Sequence, residues 1–133
     1  MRKIKLLLFL AFYIFSSNFL VFASNKSEII LKIENEIITN FDLRNKILSS
    51  LILSNQEINQ NNINSLKNQS LDLLILYKLK KIELDKYDYT VDQTQLNAYL
   101  NSISSNNVQN LKSIFLKYEV DFDQFLNEVK VEF

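Results

Sequence analysis

The sequence predicts a mainly α fold: a short N-terminal β-hairpin followed by about five helices, one of them long and central. Three observations carry this. Two β-branched apolar runs, Ile29-Ile30-Leu31 with Ile33 and then Ile37-Ile38, flank the polar break Glu34-Asn35-Glu36. Paired runs around an Asn-containing break have the pattern of a hairpin. From Ile63 to Lys86 the chain is continuous in helix formers, and Leu71 to Leu79 is apolar on nearly every side of a helical wheel. Three shorter stripes at helical spacing then follow.

Each element has a local reason. Thr39 stands three residues before Asp42, the spacing of an N-cap with an acid at N3. Asp42 also places negative charge at the positive end of the helix dipole. The first helix is expected over Asn40 to Leu53, with Phe41, Ile47, Leu48, Leu51 and Ile52 on an apolar face and Asn45, Lys46, Ser49 and Ser50 opposite. Asn55 to Asn64 is polar and Asn-rich, a loop or frayed segment. The long second helix, Ile63 to Lys86, is expected to be the buried hub, covered on more than one side. Asp88 to Val91 makes a short extended connector. Asp92 with Gln95 repeats the capping spacing and starts a third helix carrying Leu96, Tyr99, Leu100 and Ile103. Ser104 to Asn107 breaks the pattern before a fourth helix with Val108, Leu111, Ile114 or Phe115, and Tyr118. Asp121 with Gln124 starts a fifth, striped by Phe122, Phe125, Leu126, Val129 and Phe133. That pattern runs to the last residue without a C-cap signal. Gly and Pro are absent, so turns fall to Asn, Asp and Ser.

The stretch Ile33-Glu34-Asn35-Glu36-Ile37-Ile38-Thr39 with Asp42-Leu43 resembles the start of the N-terminal domain of SurA-type periplasmic chaperones, relatives of the parvulin peptidyl-prolyl isomerases. Many of these open with V-N-D-x-V-I-T-x-x-D-L; here Glu34 replaces the usual Asn, which arrives one place later as Asn35. Asp92-Gln93-Thr94-Gln95-Leu96 is similar to the family's S-D-E-Q-L helix start, and the order of helices matches from about Ser27 to Phe133. The resemblance implies an ATP-independent chaperone domain that binds unfolded outer-membrane proteins or peptides through apolar and aromatic contacts. Two departures matter. Relatives often carry Gly at the bend where this chain has Glu119-Val120, so the bend is expected to be built differently. Relatives also continue into parvulin domains and a C-terminal segment, so residues 24–133 are expected to be truncated, the N-terminal part of a longer isomerase, with a minimal form as the alternative. Isomerase activity belongs to that absent part, and no catalytic residue carries over.

The first residues bound localisation. Arg2, Lys3 and Lys5 precede the apolar run Leu6 to Phe15, and Val21 and Ala23 suit the −3 and −1 positions of a signal-peptidase site. Residues 1–23 are expected to be a signal peptide, cleaved to send a chain starting at Ser24 to the periplasm. The alternative is an uncleaved inner-membrane anchor and a tethered interaction module, which Ser16-Ser17-Asn18 weakens. The whole chain carries 15 basic and 15 acidic residues; without the 3 leader cations the balance is 12 against 15, or −3. That is no footprint for nucleic acid or an anionic membrane. The one basic cluster, Lys78, Lys80 and Lys81, is expected to be a solvated helix face. Without Cys, packing alone must hold an exported fold.

Catalysis has little to work with. His and Cys are absent, which removes the commonest general base, the thiolate nucleophile and the usual transition-metal ligands. Phosphate-cradling loops need Gly. Glu119, Asp121 and Asp123 form the densest acidic cluster, but a calcium loop needs further ligands and usually Gly at its turn, and helix capping by Asp121 accounts for them better. No enzyme activity, cofactor or metal is therefore expected. The residues expected to line a binding groove, or to pack the hub behind it, are Leu73, Leu76, Tyr77, Tyr99, Phe115 and Phe122.

Overall fold

The computed structural model describes residues 27–133. The leader expected over residues 1–23 lies outside them. Strand β1 (Ile29–Ile33) pairs antiparallel with β2 (Glu36–Thr39), and Ile33 opposite Glu36 closes a two-residue turn. Glu34 takes a left-handed backbone there, φ 50°. In a side-chain-bearing residue that conformation costs about 1–2 kcal/mol. Between Ile29 and Leu31 the register slips, leaving Ile30 as the extra residue of a bulge. Alternation then sorts the faces: Ile38 is fully buried and Ile37 is exposed.

A lone two-stranded hairpin is marginal in water. This one is fastened at both ends. Asn40 N–H donates to the Glu28 carbonyl at 2.9 Å, and Glu28 N–H donates to Asn40 Oδ1 at 3.1 Å. At the turn end Glu36 accepts from Lys78 Nζ at 2.7 Å and Lys81 Nζ at 2.6 Å. Lys80 pairs with Glu132 at 2.6 Å. The expected solvated lysine face is instead a set of ties between elements, because two acids from distant parts of the chain arrive beside it.

Helix α1 (Asn40–Leu53) starts at the expected capping box: Asp42 N–H donates to Thr39 Oγ1, and Thr39 N–H donates to Asp42 Oδ2 at 2.7 Å. Its faces differ from expectation. Phe41 is exposed, and Asn45 and Ser49 on the supposed polar face are buried. The cause is that α1 is packed from two directions. Leu43, Ile47 and Leu51 join Ile38 and Leu74 in one core, while Leu48 belongs to a second core built from the later helices.

Helix α2 (Gln60–Leu84) is 25 residues long and starts ahead of the expected position. Asn59 caps it by accepting from Asn62 N–H at 3.0 Å, and Asn62 Nδ2 donates to the Glu57 carbonyl at 2.8 Å. Half of the expected Asn-rich loop is thus helix start. The expectation of a buried hub is corrected: only Ser70 and Leu74 are buried on α2. Leu73, Leu76 and Leu79 stay 40%, 49% and 48% exposed.

Helices α3 (Gln93–Ile103), α4 (Val108–Lys117) and α5 (Phe122–Lys130) begin at side-chain caps. Asp92 accepts from the N–H groups of Thr94 and Gln95, Asn107 from Asn110, and Asp121 from Asp123 and Gln124. Leu48, Leu96, Leu100, Leu111, Phe115, Val120, Phe125 and Val129 form their shared core. The α4–α5 bend does use a left-handed residue, Glu119 at φ 54°, against the expectation that lack of Gly would force another design. Helix α1 holds it in place. Arg44 donates to the Glu119 carbonyl at 3.0 Å, and Asn45 brackets Asp121, accepting from its N–H at 2.6 Å and donating to its carbonyl at 3.1 Å. The fifth helix stops at Lys130 rather than running on. Phe133 turns back against Tyr99, ring centroids 5.6 Å apart, and its carbonyl accepts from Asp92 N–H at 3.2 Å.

Candidate functional site

Four of the six expected groove residues come together. Leu73, Leu76 and Tyr77 of α2 face Tyr99 of α3 across a cleft of about 280 Å3, closed by Leu53 of α1 and by Phe125 and Val129 of α5. Leu76 is on its outer lip, and Leu79 extends the exposed apolar row along α2. The two tyrosines wall the cleft with half-buried rings. Burial raises the phenol pKa of both, aided by Glu128 near Tyr77 and by Glu132 near Tyr99. Both therefore stay neutral at physiological pH and present aromatic surface with a polar tip.

Phe115 and Phe122 do not line this cleft. Phe115 is fully buried. Its ring meets Phe125 edge-on at 5.2 Å and Phe122 at 5.6 Å, and Phe122 lies 5.8 Å from Phe125. These rings back the cleft wall through Phe125. They are the packed hub, and the open contacts belong to α2.

The polar groups of the cleft are committed to structure. Lys46 Nζ pairs with the buried Glu128 at 2.9 Å. Ser49 and Ser50 hydroxyls both donate to the Lys46 carbonyl, at 3.0 and 2.8 Å. A Ser hydroxyl turned back on its own helix, beside a Lys already held by a carboxylate, has no base to activate it. On the other side of Tyr77 is a polar notch bounded by Asp42, Lys78, Asp121 and Asp123. Asp42 and Asp121 there serve the caps of α1 and α5. Among the described residues no group of three or more Asp, Glu, His or Cys could hold a metal ion, and no helix is long and apolar enough to cross a membrane.

A second, larger groove went unforeseen in the sequence. It has a volume of about 570 Å3 and lies between α1 and the first turns of α2. Leu43, Ile47 and Leu48 form its floor, Ile58 and Ile63 one side, and Ile30 and Tyr118 the ends. The β1 bulge is at the residue that supplies one end. Four separate stretches of the chain contribute, so no local periodicity marks it; the bulged Ile30 and the isolated Ile58 inside a polar run were the signals available.

The described chain is a helical domain with a hairpin cap and two apolar clefts flanking its central helix. Compared with known proteins, it matches no family model, no curated protein and no solved structure.

Proposed function

We propose that the chain is a periplasmic, ATP-independent chaperone domain that binds unfolded outer-membrane proteins at the α2 cleft. The observation that carries this is the exposed row Leu73, Leu76 and Leu79, continuous with a cleft walled by Tyr77 and Tyr99. Large apolar side chains are exposed elsewhere too, Leu116 most of all at 79%, but the α2 row is continuous with a cleft, and contiguous exposed apolar surface marks a contact surface. The reading also rests on the resemblance of Ile33 to Leu43 to SurA-type chaperones, and on the leader expected over residues 1–23.

The physics suits reversible holding. Burying apolar surface stabilises by about 25 cal/mol per Å2, so a few side chains give useful affinity. Ordering a disordered client offsets much of that, and the client can leave to fold without an energy source. Outer-membrane strands alternate apolar and polar residues and end in aromatic girdles. They therefore offer repeated anchors to a short apolar row. The proposed role is binding.

Tyr77→Ala tests the reading. Weaker capture of an unfolded porin with an unchanged thermal midpoint supports a contact role, whereas a lowered midpoint with unchanged capture assigns Tyr77 to the fold alone. N-terminal sequencing of the exported protein tests the location. A chain starting at Ser24 supports a free periplasmic domain, and an intact leader replaces it with a membrane-tethered module.

A further inference from the structure

The larger groove differs from the α2 cleft in its charge. Among the described residues its ionic lining residues are Arg44 and Lys67, both cations, and Arg44 is paired with the exposed Glu119 carboxylate at 3.4 Å. Lys67 is exposed and has no ion pair among the described residues. Arg44 gives three N–H donors to the α4–α5 bend, to the carbonyls of Tyr118 and Glu119 and to the Glu119 carboxylate. A guanidinium has five. At the rim Gln60 Nε2 donates to Asn64 Oδ1 at 2.9 Å. That bond leaves the Gln60 carbonyl as an acceptor and the Asn64 amide as a donor, side by side above an apolar floor.

We propose that this groove binds the C-terminal end of an apolar peptide, with side chains on the Leu43–Ile47–Leu48 floor and the terminal carboxylate between Lys67 and Arg44. A volume of about 570 Å3 lies within the roughly 300–1,000 Å3 usual for ligand sites. The cationic rim calls for an anion at the end of an apolar chain. The paired amides call for alternating N–H and C=O groups, which a peptide backbone supplies and an acyl chain lacks. Capture of a C-terminal carboxylate is an established peptide-recognition mode. The inference shares only its ligand class with the chaperone reading, and it uses a different cleft.

The test is fluorescence anisotropy with the purified protein and a fluorescein-labelled hexapeptide, two serines followed by four apolar residues, ending in a carboxylate or an amide. The free acid is expected to bind about fivefold tighter than the amide, the upper range for exposed charge contacts. Raising salt from about 0.05 M to about 0.5 M should shrink the difference, since exposed charge contacts are screened by salt. Lys67→Gln should bring the two peptides within about twofold, Lys67→Arg should keep the preference, and Leu76→Ser should leave it intact. Equal binding of acid and amide, or a preference that survives Lys67→Gln, overturns the inference. Palmitate binding where neither peptide binds overturns it in favour of a lipid. Loss of peptide binding in Leu76→Ser also overturns it, placing the peptide on α2 while the chaperone reading stands.

Discussion

Helix α1 is 14 residues long and buries six of them; helix α2 is 25 residues long and buries two. Both are rich in Leu and Ile, and α2 has the more continuous apolar stretch. The difference comes from neighbours. The hairpin and α2 approach α1 from one side, and α4 and α5 approach it from the other. Among the described residues, α3 and α5 meet the outer face of α2 only across an open cleft, so Leu73, Leu76 and Leu79 remain largely in water. An apolar wheel states what a helix could bury; the topology decides what it does bury, and the remainder is surface available for binding.

The largest expected effect separates the two helices directly. Leu51→Ala on α1 removes a fully buried side chain and should cost about 2–5 kcal/mol. Leu76→Ala on α2 should cost only about 0.5 kcal/mol, as surface substitutions do. Paired chemical-denaturation curves check this, and similar losses at both sites would erase the distinction between hub and surface. Next comes Asn45→Ala. It leaves the Asp121 N–H and carbonyl without the bracket that α1 provides, at a cost of about 2 kcal/mol. Amide exchange should quicken first at the α4–α5 bend.

A smaller effect probes how α2 holds the hairpin. Hydrogen bonds from Lys78 and then Lys81 keep the Glu36 carboxyl below the ordinary carboxylate range. Because the folded pKa is depressed, the unfolded chain takes up this proton first. The stabilisation is complete above the ordinary value of 4.5 and is lost as pH falls through the lower, folded value. Glu36→Gln should cost about 1 kcal/mol at neutral pH and flatten the fall of the denaturation midpoint below about pH 4.5. An unaltered acid limb would show that the ties to Lys78 and Lys81 do not stabilise the hairpin. The smallest effect has the opposite sign. Glu119→Gly relieves a left-handed backbone and gives up only an exposed ion pair with Arg44. It should stabilise by up to about 1 kcal/mol, seen as a raised thermal midpoint.

What could be seen in the sequence was local. Thr39 with Asp42, Asp92 with Gln95, and Asp121 each cap their helix as their spacing predicts, because donor and acceptor lie within one turn. What could not be seen was assembled at a distance. Asn45 looked like a surface residue because its partner Asp121 is 76 positions away. The Glu119 bend was marked by the missing Gly but read as built differently, since the left-handed backbone is held by Arg44 and Asn45 from another helix. The cleft was partly legible: Leu73, Leu76, Tyr77 and Tyr99 meet as expected, while Phe115 and Phe122 became the packing behind it. The larger groove draws Ile30, Ile58 and Lys67 from three places that no pattern connects.

The most direct measurement is a titration of the purified protein, and of its Leu73→Ser/Leu76→Ser double variant, with an unfolded porin and with the folded porin as control. The account predicts saturable binding of the unfolded form alone and suppressed aggregation. It also predicts loss of both in the double variant, with little change in its thermal midpoint. Undiminished binding by the double variant, or no binding by the well-folded parent protein, would contradict the assignment of the α2 face as the client-binding surface.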